Sequence, residues 1–340
     1  MKRSMIAVLS VVAVLLAIGS AAQATNITID MVTVGNAGNT ADTTGYGAVS
    51  YAYNIGKYEV TAGQYTEFLN KVAQTDTYGL YDSKMVGYGA SPRITRTGLS
   101  GSYSYSVASD YVNRPVTYVS WGDAARFTNW LHNGQPTGAQ NASTTEDGAY
   151  YLNGATSVAA LMAVTRKSDA KWALPSEDEW YKAAYYDPAT ASYFDYPTSS
   201  NTEPGRDMTD VSGNNANYCG TPYPITGVPN VYTTVVGEFQ NSASPYGTFD
   251  QGGNVWEWNE AILYPDTNYA HRGLRGGSFS GGSGGDIFLL ASDRGYGSGG
   301  PADENYHIGF RVSQVVPEPS SIMALAGGLI SLLGIRRRRV

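Results

Sequence analysis

Residues 250–258 read DQGGNVWEW and combine a glycine pair, two carboxylates and two tryptophans. The glycines at 252 and 253 allow the backbone to turn with positive φ, which other residues adopt at a cost. Trp256 and Trp258 supply aromatic bulk for a core surrounded by long loops. The residues alone leave two interpretations of Glu257 open: it pairs with an arginine, or it binds a cation.

Three further segments accompany this one along the chain, and each predicts a defined local structure. They read PVTYVSWGDAARFTNWL (115–131), LPSEDEWYKAA (174–184) and RGGSF…GFRV (275–312). A hydroxyl residue followed three positions later by an acid or amide is a capping-box pattern, and this pattern predicts where helices begin. It occurs three times, at Thr61 with Gln64, Ser120 with Asp123, and Ser176 with Glu179.

The rest of the chain is predicted to form short strands joined by many loops. Alternation predicts strands within 27–35 and 51–61, and Pro115 to Val119 is predicted as a third. Residues 134–171 have the composition of an inserted segment, in which Asn153-Gly154 predicts a hairpin turn. Residues 76–112 show no clear period, and 187–250 are expected to be mostly loop.

Together the four segments resemble the formylglycine-generating enzyme family, also called the sulfatase-modifying factor domain. The resemblance covers about residues 27–312 and depends on the order of the segments rather than on any one of them. It implies an α+β fold of the C-type-lectin-like kind, loop-rich, low in regular secondary structure and stabilised by calcium.

The same resemblance locates a reaction site and indicates that its reactive pair is missing. The catalytic family has two cysteines that bind copper(I) as thiolates, and their positions are here Gly281 and Asp286. A soft metal ion requires soft ligands, so we do not expect copper to bind. Trp256 and Ser278 match residues that line the family's site. The glycine-rich stretch RGGSFSGGSGGD lacks the Gly-Lys-Ser/Thr of a phosphate-binding loop.

Calcium is the metal that the resemblance implies. One ion would be held by the Asp250 side chain, the Gly253 and Val255 carbonyls and the Glu257 carboxylate, since Ca²⁺ prefers oxygen ligands.

A second calcium would use Asn217 and the carbonyl of Tyr218. The aspartate that should complete this second site is absent, because Val228 stands near its place and Asn230 is a poor substitute.

Other groups able to carry chemistry have simpler interpretations. A sister branch of the family uses three histidines to bind iron, but those ligands come from a helical domain that this chain lacks. His132 is expected at a helix C-terminus, His271 in a turn, and His307 just before Gly309. Cys219 is interpreted as a small buried or partly exposed thiol. The run Glu177-Asp178-Glu179 is expected to interact with a helix dipole.

The N-terminus predicts export. Lys2 and Arg3 precede an apolar run from Ile6 to Ile18, and Ala22-Gln23-Ala24 fits a signal-peptide cleavage site, so residues 1–24 are assigned as a signal peptide. An uncleaved anchor is the alternative. The domain is assigned to residues 25–316.

Residues 317–340 begin with Pro-Glu-Pro, continue with the uncharged run Ser320 to Ile335, and end with four arginines, Arg336 to Arg339. This order resembles the PEP-CTERM sorting signal. It implies a Gram-negative-type envelope, a sorting protease of the exosortase kind, and transient inner-membrane anchoring through the short apolar run. A plain tail anchor is the alternative, although 16 residues are marginal for spanning a bilayer.

The net charge of the domain excludes some classes of binding partner. The chain has 22 basic and 29 acidic residues, and without its two ends 16 basic and 28 acidic residues remain, a net charge of −12. Such a domain repels nucleic acid and anionic lipid. The single cysteine excludes an intramolecular disulfide, so another tie must hold the loops.

Three functions follow as hypotheses. The first is a secreted binding or structural module, retained at the cell surface or in extracellular polymer, with a polysaccharide or a surface protein as its partner. The second is a copper-dependent or otherwise oxidative modifier of protein substrates. A scaffold that aids sulfatase maturation without catalysis is a third. The missing cysteine pair favours the first.

Overall fold

The computed structural model describes residues 26–87, 91–220, 232–264, 270–280, 285–295 and 300–316. Within these ranges the helices are short and are separated by long loops. In chain order they are α1 (Ala62–Val72), α2 (Trp121–His132), α3 (Val158–Met162) and α4 (Glu177–Tyr185), with 3-10 turns at Ser83–Val86 and Gly285–Leu289.

The strands are also short, and they form several small sheets. They are β1 (Met31–Val34), β2 (Tyr53–Gly56), β3 (Ile94–Thr97), β4 (Ser104–Val107), β5 (Trp172–Ala173), β6 (Tyr186–Asp187), β7 (Ser192–Tyr193), β8 (Trp256–Leu263), β9 (His271–Arg275), β10 (Ile308–Gly309) and β11 (Ser313–Val315). This loop-rich α+β organisation confirms the predicted fold class.

The largest sheet in the described ranges has the order β1-β2-β11-β5, so it joins the first and the last strand. Tyr53 of β2 lies opposite both Val34 and Val315, which places the C-terminal exit of the domain at the Tyr53 end of this sheet. A second sheet has the order β10-β8-β9, with a bulge in β8 between Trp258 and Ile262.

All three predicted helix starts are confirmed. The side-chain oxygens of Thr61, Ser120 and Ser176 each accept a hydrogen bond from the backbone N–H three residues later. In each case the side chain of that later residue accepts a hydrogen bond from the backbone N–H of the cap residue. Such caps satisfy N–H groups that have no partner within the helix. Every residue of α2 except His132 is buried, so this helix lies within the core rather than on its surface.

The structure corrects three local predictions. Pro115 to Val119 is not a strand: Pro115 makes one isolated bridge to Thr61, and Tyr118 has a φ of 58°, which breaks an extended run. His271 begins β9 rather than lying in a turn. The region 76–112, for which no period was predicted, contains the hairpin β3–β4; Ser104–Val107 alternates polar and apolar residues over four positions only, a signal too short to stand out from the surrounding serines and tyrosines.

The Asn153-Gly154 turn is confirmed in its backbone, with φ of 45° and 82° at the two residues. Its flanks do not pair as the two strands of a hairpin. The preceding segment instead forms one isolated bridge, between Tyr150 and Arg166.

Aromatic rings fill the main core where α1 and α2 meet. Phe68 lies 5.3 Å from both Phe127 and Trp130, measured between ring centroids, and Phe127 lies 5.4 Å from Phe310. These rings are fully buried. Aromatic bulk thus compensates for the small number of regular elements.

Buried ion pairs tie the loops together in a chain that has a single cysteine. Arg126 pairs with Glu146 at 2.7 Å, and Arg275 pairs with Glu177 at 2.7 Å. Each pair joins segments distant in sequence, and each side chain is at most 7% exposed. Removal of one partner from such a pair leaves a buried charge without compensation.

No helix within the described ranges is long and apolar enough to cross a membrane. The apolar run from 320 to 335, the Pro-Glu-Pro sequence, the arginine cluster and the signal-peptide site all lie outside the described residues.

Candidate functional site

The segment 250–258 forms a tight turn that leads into β8. Asp250, Gly253 and Asn254 all have positive φ, of 59°, 87° and 57°. A Cβ atom on Gly253 would lie 2.3 Å from the carbonyl oxygen of Asn217, so only glycine fits there. Asn254 then binds two loops, because its N–H donates to Asn217 O at 2.6 Å and its Oδ1 accepts from Thr234 N at 3.0 Å.

Glu257 lies at the centre of a buried ion pair. Its two carboxylate oxygens accept from Arg311 Nε and Nη2, both at 2.6 Å, and its Oε2 also accepts from Trp180 Nε1 at 2.7 Å. Glu257 and Arg311 are both 0% exposed. The geometry therefore favours the arginine-pairing interpretation of Glu257, since a metal ion would have to share this carboxylate with a guanidinium.

A second acidic pair lies next to it, formed by Glu59 and Asp250. Asp250 Oδ2 accepts from Gly237 N at 2.5 Å, and Glu59 Oε1 accepts from Asn254 Nδ2 at 3.1 Å. Glu59 is 2% exposed, and its Oε2 has no hydrogen-bond partner. Burial, together with the charge of Glu257, raises the pKa of Asp250 to about 6 and the pKa of Glu59 well above its ordinary value.

Glu59 is a functional candidate that the sequence analysis missed. It follows β2 in the stretch KYEVT and is nearly 200 residues from Asp250. No local pattern distinguished it from an exposed acid at a strand end. Among the described residues, however, no group of three or more acidic, histidine or cysteine side chains has the arrangement of a metal site.

The residues predicted for a second calcium have other partners. Asn217 donates to the carbonyl of Tyr232 at 2.9 Å, and the Tyr218 carbonyl accepts from Arg206 Nε at 2.7 Å. A guanidinium therefore occupies one lone pair of that carbonyl. Residues 228 and 230 lie outside the described ranges.

The predicted reaction site is a surface region in which hydroxyl and aromatic groups meet. Ser278 is 2% exposed, and its Oγ donates to the carbonyl of Ser280 at 2.8 Å. Trp256 is half-buried and packs on Phe288 with ring centroids 5.6 Å apart. Asp286 is the second residue of the 3-10 turn Gly285–Leu289. Residue 281 lies outside the described ranges.

The structure brings Cys219 to this region. A Cβ atom on Gly285 would lie 3.0 Å from the Cβ of Cys219 and 2.2 Å from its carbonyl oxygen. The chain's single thiol, which is half-buried, therefore lies beside the residue that precedes Asp286. Sequence could not show this contact, because the two positions are more than 60 residues apart.

An exposed rim continues from Ser278 to Tyr306. Ser280 Oγ and Tyr306 Oη are 3.0 Å apart, and Tyr306 is 39% exposed. Its ring lies 6.1 Å from Phe279 and 4.7 Å from His307. Burial lowers the pKa of His307 to about 4, so its imidazole is neutral at neutral pH. We call this region, comprising Trp256, Ser278, Ser280, Phe288 and Tyr306, the aromatic face.

The three histidines do not converge. His132 ends α2, and its Nδ1 accepts from Lys171 N at 3.1 Å, whereas His271 and His307 lie on other elements. All three are described, and they form no metal-binding group.

The fold defines a domain of the sulfatase-modifying-factor kind. The family model described as a sulfatase-modifying factor enzyme 1-like domain matches residues 20–315, and the chain belongs to this family. A PEP-CTERM protein-sorting motif matches residues 315–339. This motif implies sorting by an exosortase and export to the envelope or surface of a Gram-negative bacterium.

Similarity to individual proteins is distant. The chain is 25% identical over 250 residues to a hercynine oxygenase of Mycobacterium tuberculosis, which covers 67% of this chain and 46% of that protein. It thus spans about half the length of that relative.

Two solved structures share the fold. They are CarF, at 20% identity over 85% of this chain and 99% of that one, and Treponema denticola variable protein 1, at 17% identity over 84% and 95%. The TM-score is 0.50 for both.

Proposed function

We propose that this protein is an exported, non-catalytic member of the family that serves as a binding or structural module at the cell surface or in extracellular polymer. The observation that carries the proposal is Asp286, a carboxylate at a position where the catalytic family has a copper-binding thiolate. A hard oxygen ligand does not replace a soft sulfur ligand for copper(I). With Gly281 at the other position, the pair of thiolates is absent.

The aromatic face supports ligand binding in place of catalysis. It combines partly exposed rings with hydroxyl groups, a mixture typical of sites that bind small polar ligands.

The second candidate is an oxidative modifier of protein substrates. The observations that favour it are the half-buried Cys219 beside the 3-10 turn, and the retention of Trp256 and Ser278. One thiol is too few for the two-thiolate chemistry of the family. The first proposal therefore explains more of the site.

One experiment separates the two candidates. The domain is incubated with copper(I) and a sulfatase-type cysteine peptide, with an active formylglycine-generating enzyme as the positive control. We expect no conversion of peptide thiol to aldehyde above the no-protein background. Stoichiometric conversion would overturn the proposal, whereas binding of the same domain to an array of glycans or surface proteins, lost in Trp256→Ala or Tyr306→Ala, would support it.

We also propose calcium as a structural ion, centred on Asp250 and Glu59 rather than on Glu257. The unpartnered Oε2 of Glu59 is a buried oxygen that a cation would satisfy, and the carbonyls of Gly253 and Val255 belong to the same turn. Oxygen ligands of this kind suit Ca²⁺. The ion would neutralise two adjacent carboxylates and hold the turn that anchors β8. Measuring the melting temperature of the domain with and without a calcium chelator tests this proposal.

A further inference from the structure

A groove of about 640 Å³ lies within the segment that the sequence marks as inserted, on a part of the chain separate from the aromatic face. One wall is formed by residues 151–155, which include the Asn153-Gly154 turn, and the other by residues 160–167. Its volume is in the range of small-ligand sites.

The first wall is held by a buried ion pair. Glu146 accepts from the N–H groups of Leu152 and Asn153 through its carbonyl, and from Gly154 N through Oε2 at 2.8 Å. Arg126, paired with Glu146, donates from Nη2 to the carbonyl of Ala155 at 3.0 Å. A surface turn is thus fixed from below by two buried charges, which lowers the entropic cost of binding a ligand there.

The second wall is tied to the first, and both of its cations have acidic partners. Lys167 N donates to the carbonyl of Ala149 at 2.8 Å, and its ammonium pairs with Asp147. Arg166 pairs with both Glu179 and Glu260, each at 2.8 Å. Because acidic groups outnumber the two cations, the groove offers no unpaired cation to an anionic ligand.

Three exposed side chains line this rigid frame. Tyr151 is 59% exposed, although its neighbour Tyr150 is fully buried. Asn153 and Thr165 are also exposed, and the polar side-chain atoms of all three make no hydrogen bond within the described residues. The second wall includes the small residues Ala160 and Ala163, which leave room for a ligand.

We propose that this groove binds a neutral saccharide, one or two pyranose rings of a polysaccharide chain. The apolar C–H face of a pyranose packs on an exposed tyrosine ring, and its hydroxyls bond to an amide and a hydroxyl such as those of Asn153 and Thr165. A ligand with these two chemistries matches the groove, whereas phosphate, sulfate and uronate ligands find no free cation. The site stands on its own residues and does not depend on the aromatic face.

Isothermal titration calorimetry tests the assignment. The mature domain is titrated with neutral hexasaccharides of glucose, of mannose and of N-acetylglucosamine. We expect one of these probes to bind and Tyr151→Ala to weaken its binding about tenfold, which corresponds to about 1.4 kcal/mol. Tyr151→Phe should retain most of the affinity. Asn153→Gly removes the amide and keeps a residue that tolerates the positive φ, and it should also weaken binding.

Two controls make the result specific. Leu99→Ala, at a site 79% exposed and far from the groove in sequence, should bind like the unmodified domain. Tyr306→Ala tests the aromatic face, so loss of binding in that variant alone would reassign the saccharide to the other site. Unchanged binding in Tyr151→Ala, absence of binding to all three probes, or self-association of the domain that Tyr151→Ala abolishes would overturn the proposal.

Discussion

Glu59 and Asp250 bury two carboxyl groups side by side, close to the ion pair of Glu257 with Arg311. Two adjacent buried carboxylates repel each other unless a proton or a cation lies between them. The arginine is already committed to Glu257 by two hydrogen bonds. This local charge balance is the physical basis for placing calcium at Glu59 and Asp250.

Chelation should lower the melting temperature of the domain by several degrees if calcium occupies this position. Calcium would stabilise the folded state by mass action, by about 2.7 kcal/mol at a hundredfold excess over its dissociation constant. Glu59→Gln should remove the effect of the chelator, as measured by calorimetric or fluorescence melting.

Glu257→Gln is the matched control for that measurement. It leaves the buried Arg311 with less compensation, so it should lower the free energy of unfolding by about 3–5 kcal/mol both with and without chelator. Identical melting curves of the unmodified domain with and without chelator would mean that a proton, and not calcium, lies between the two carboxyls.

Glu304 gives a prediction for pH dependence. Burial, followed by its hydrogen bond to Asp82, raises the pKa of Glu304 to about 10. The folded state therefore holds this proton to a higher pH than the unfolded chain, so the stabilisation is complete below the ordinary carboxyl pKa and is lost as the pH rises toward 10.

Glu304→Gln should consequently melt at a higher temperature than the unmodified domain at pH 8, and the difference should shrink toward pH 4. Glutamine keeps the size of the side chain and a donor toward Asp82, and it has no charge to lose. Equal melting temperatures across this pH range would show that Glu304 is not protonated in the folded state.

At the scale of elements, the helix caps are the interactions most clearly tied to sequence. Ser120 Oγ accepts from Asp123 N at 3.1 Å, and Asp123 Oδ2 accepts from Ser120 N at 2.9 Å. This cap begins α2, which is buried on almost every side. Unfolding of the first turn of α2 would therefore disturb the main core.

Ser120→Ala should lower the free energy of unfolding by about 1–2 kcal/mol, the upper part of the range for lost caps. The loss of stability is in the upper part of the range because Asp123 is buried and would lose a hydrogen-bond partner. Denaturant unfolding measures it. Ser157→Ala is the matched control: it removes a similar cap from the short α3, at an exposed position, and should cost less than 0.5 kcal/mol. Equal costs at the two sites would contradict this account.

At the scale of the whole molecule, the first and the last described strands, β1 and β11, lie on one sheet, and β11 ends at Val315, where the sorting motif begins. Residues 310–312 join β10, which pairs with Trp256 of the aromatic face, to β11. The aromatic face is therefore linked to that exit by a short segment of the chain.

Intact-mass measurement of protein from the envelope of the native host should show a start near residue 25 and loss of residues 336–339. The reasons are the small-x-small site at 22–24 and the match to the sorting motif. A form in which both Pro317 and Pro319 are replaced by alanine should keep its arginines. Mature surface protein that still carries the four arginines would contradict sorting by cleavage.

The sequence by itself determined the helix starts, the family and the sorting signal, because each depends on residues that are close together in the chain. A capping box spans four residues, and the segments around 115–131, 174–184, 250–258 and 275–312 are each read locally. The absence of a pair of thiols was also readable, because the chain has a single cysteine.

Tertiary structure decided what depends on distance. Only the folded chain places Arg311 on Glu257, Glu59 beside Asp250, and Cys219 beside Gly285. It also decided that Tyr151 is exposed while Tyr150 is buried, and that Arg126 and Glu146 hold the turn next to it. In a fold with few regular elements, loops carry these contacts, and no local periodicity records which loops will meet.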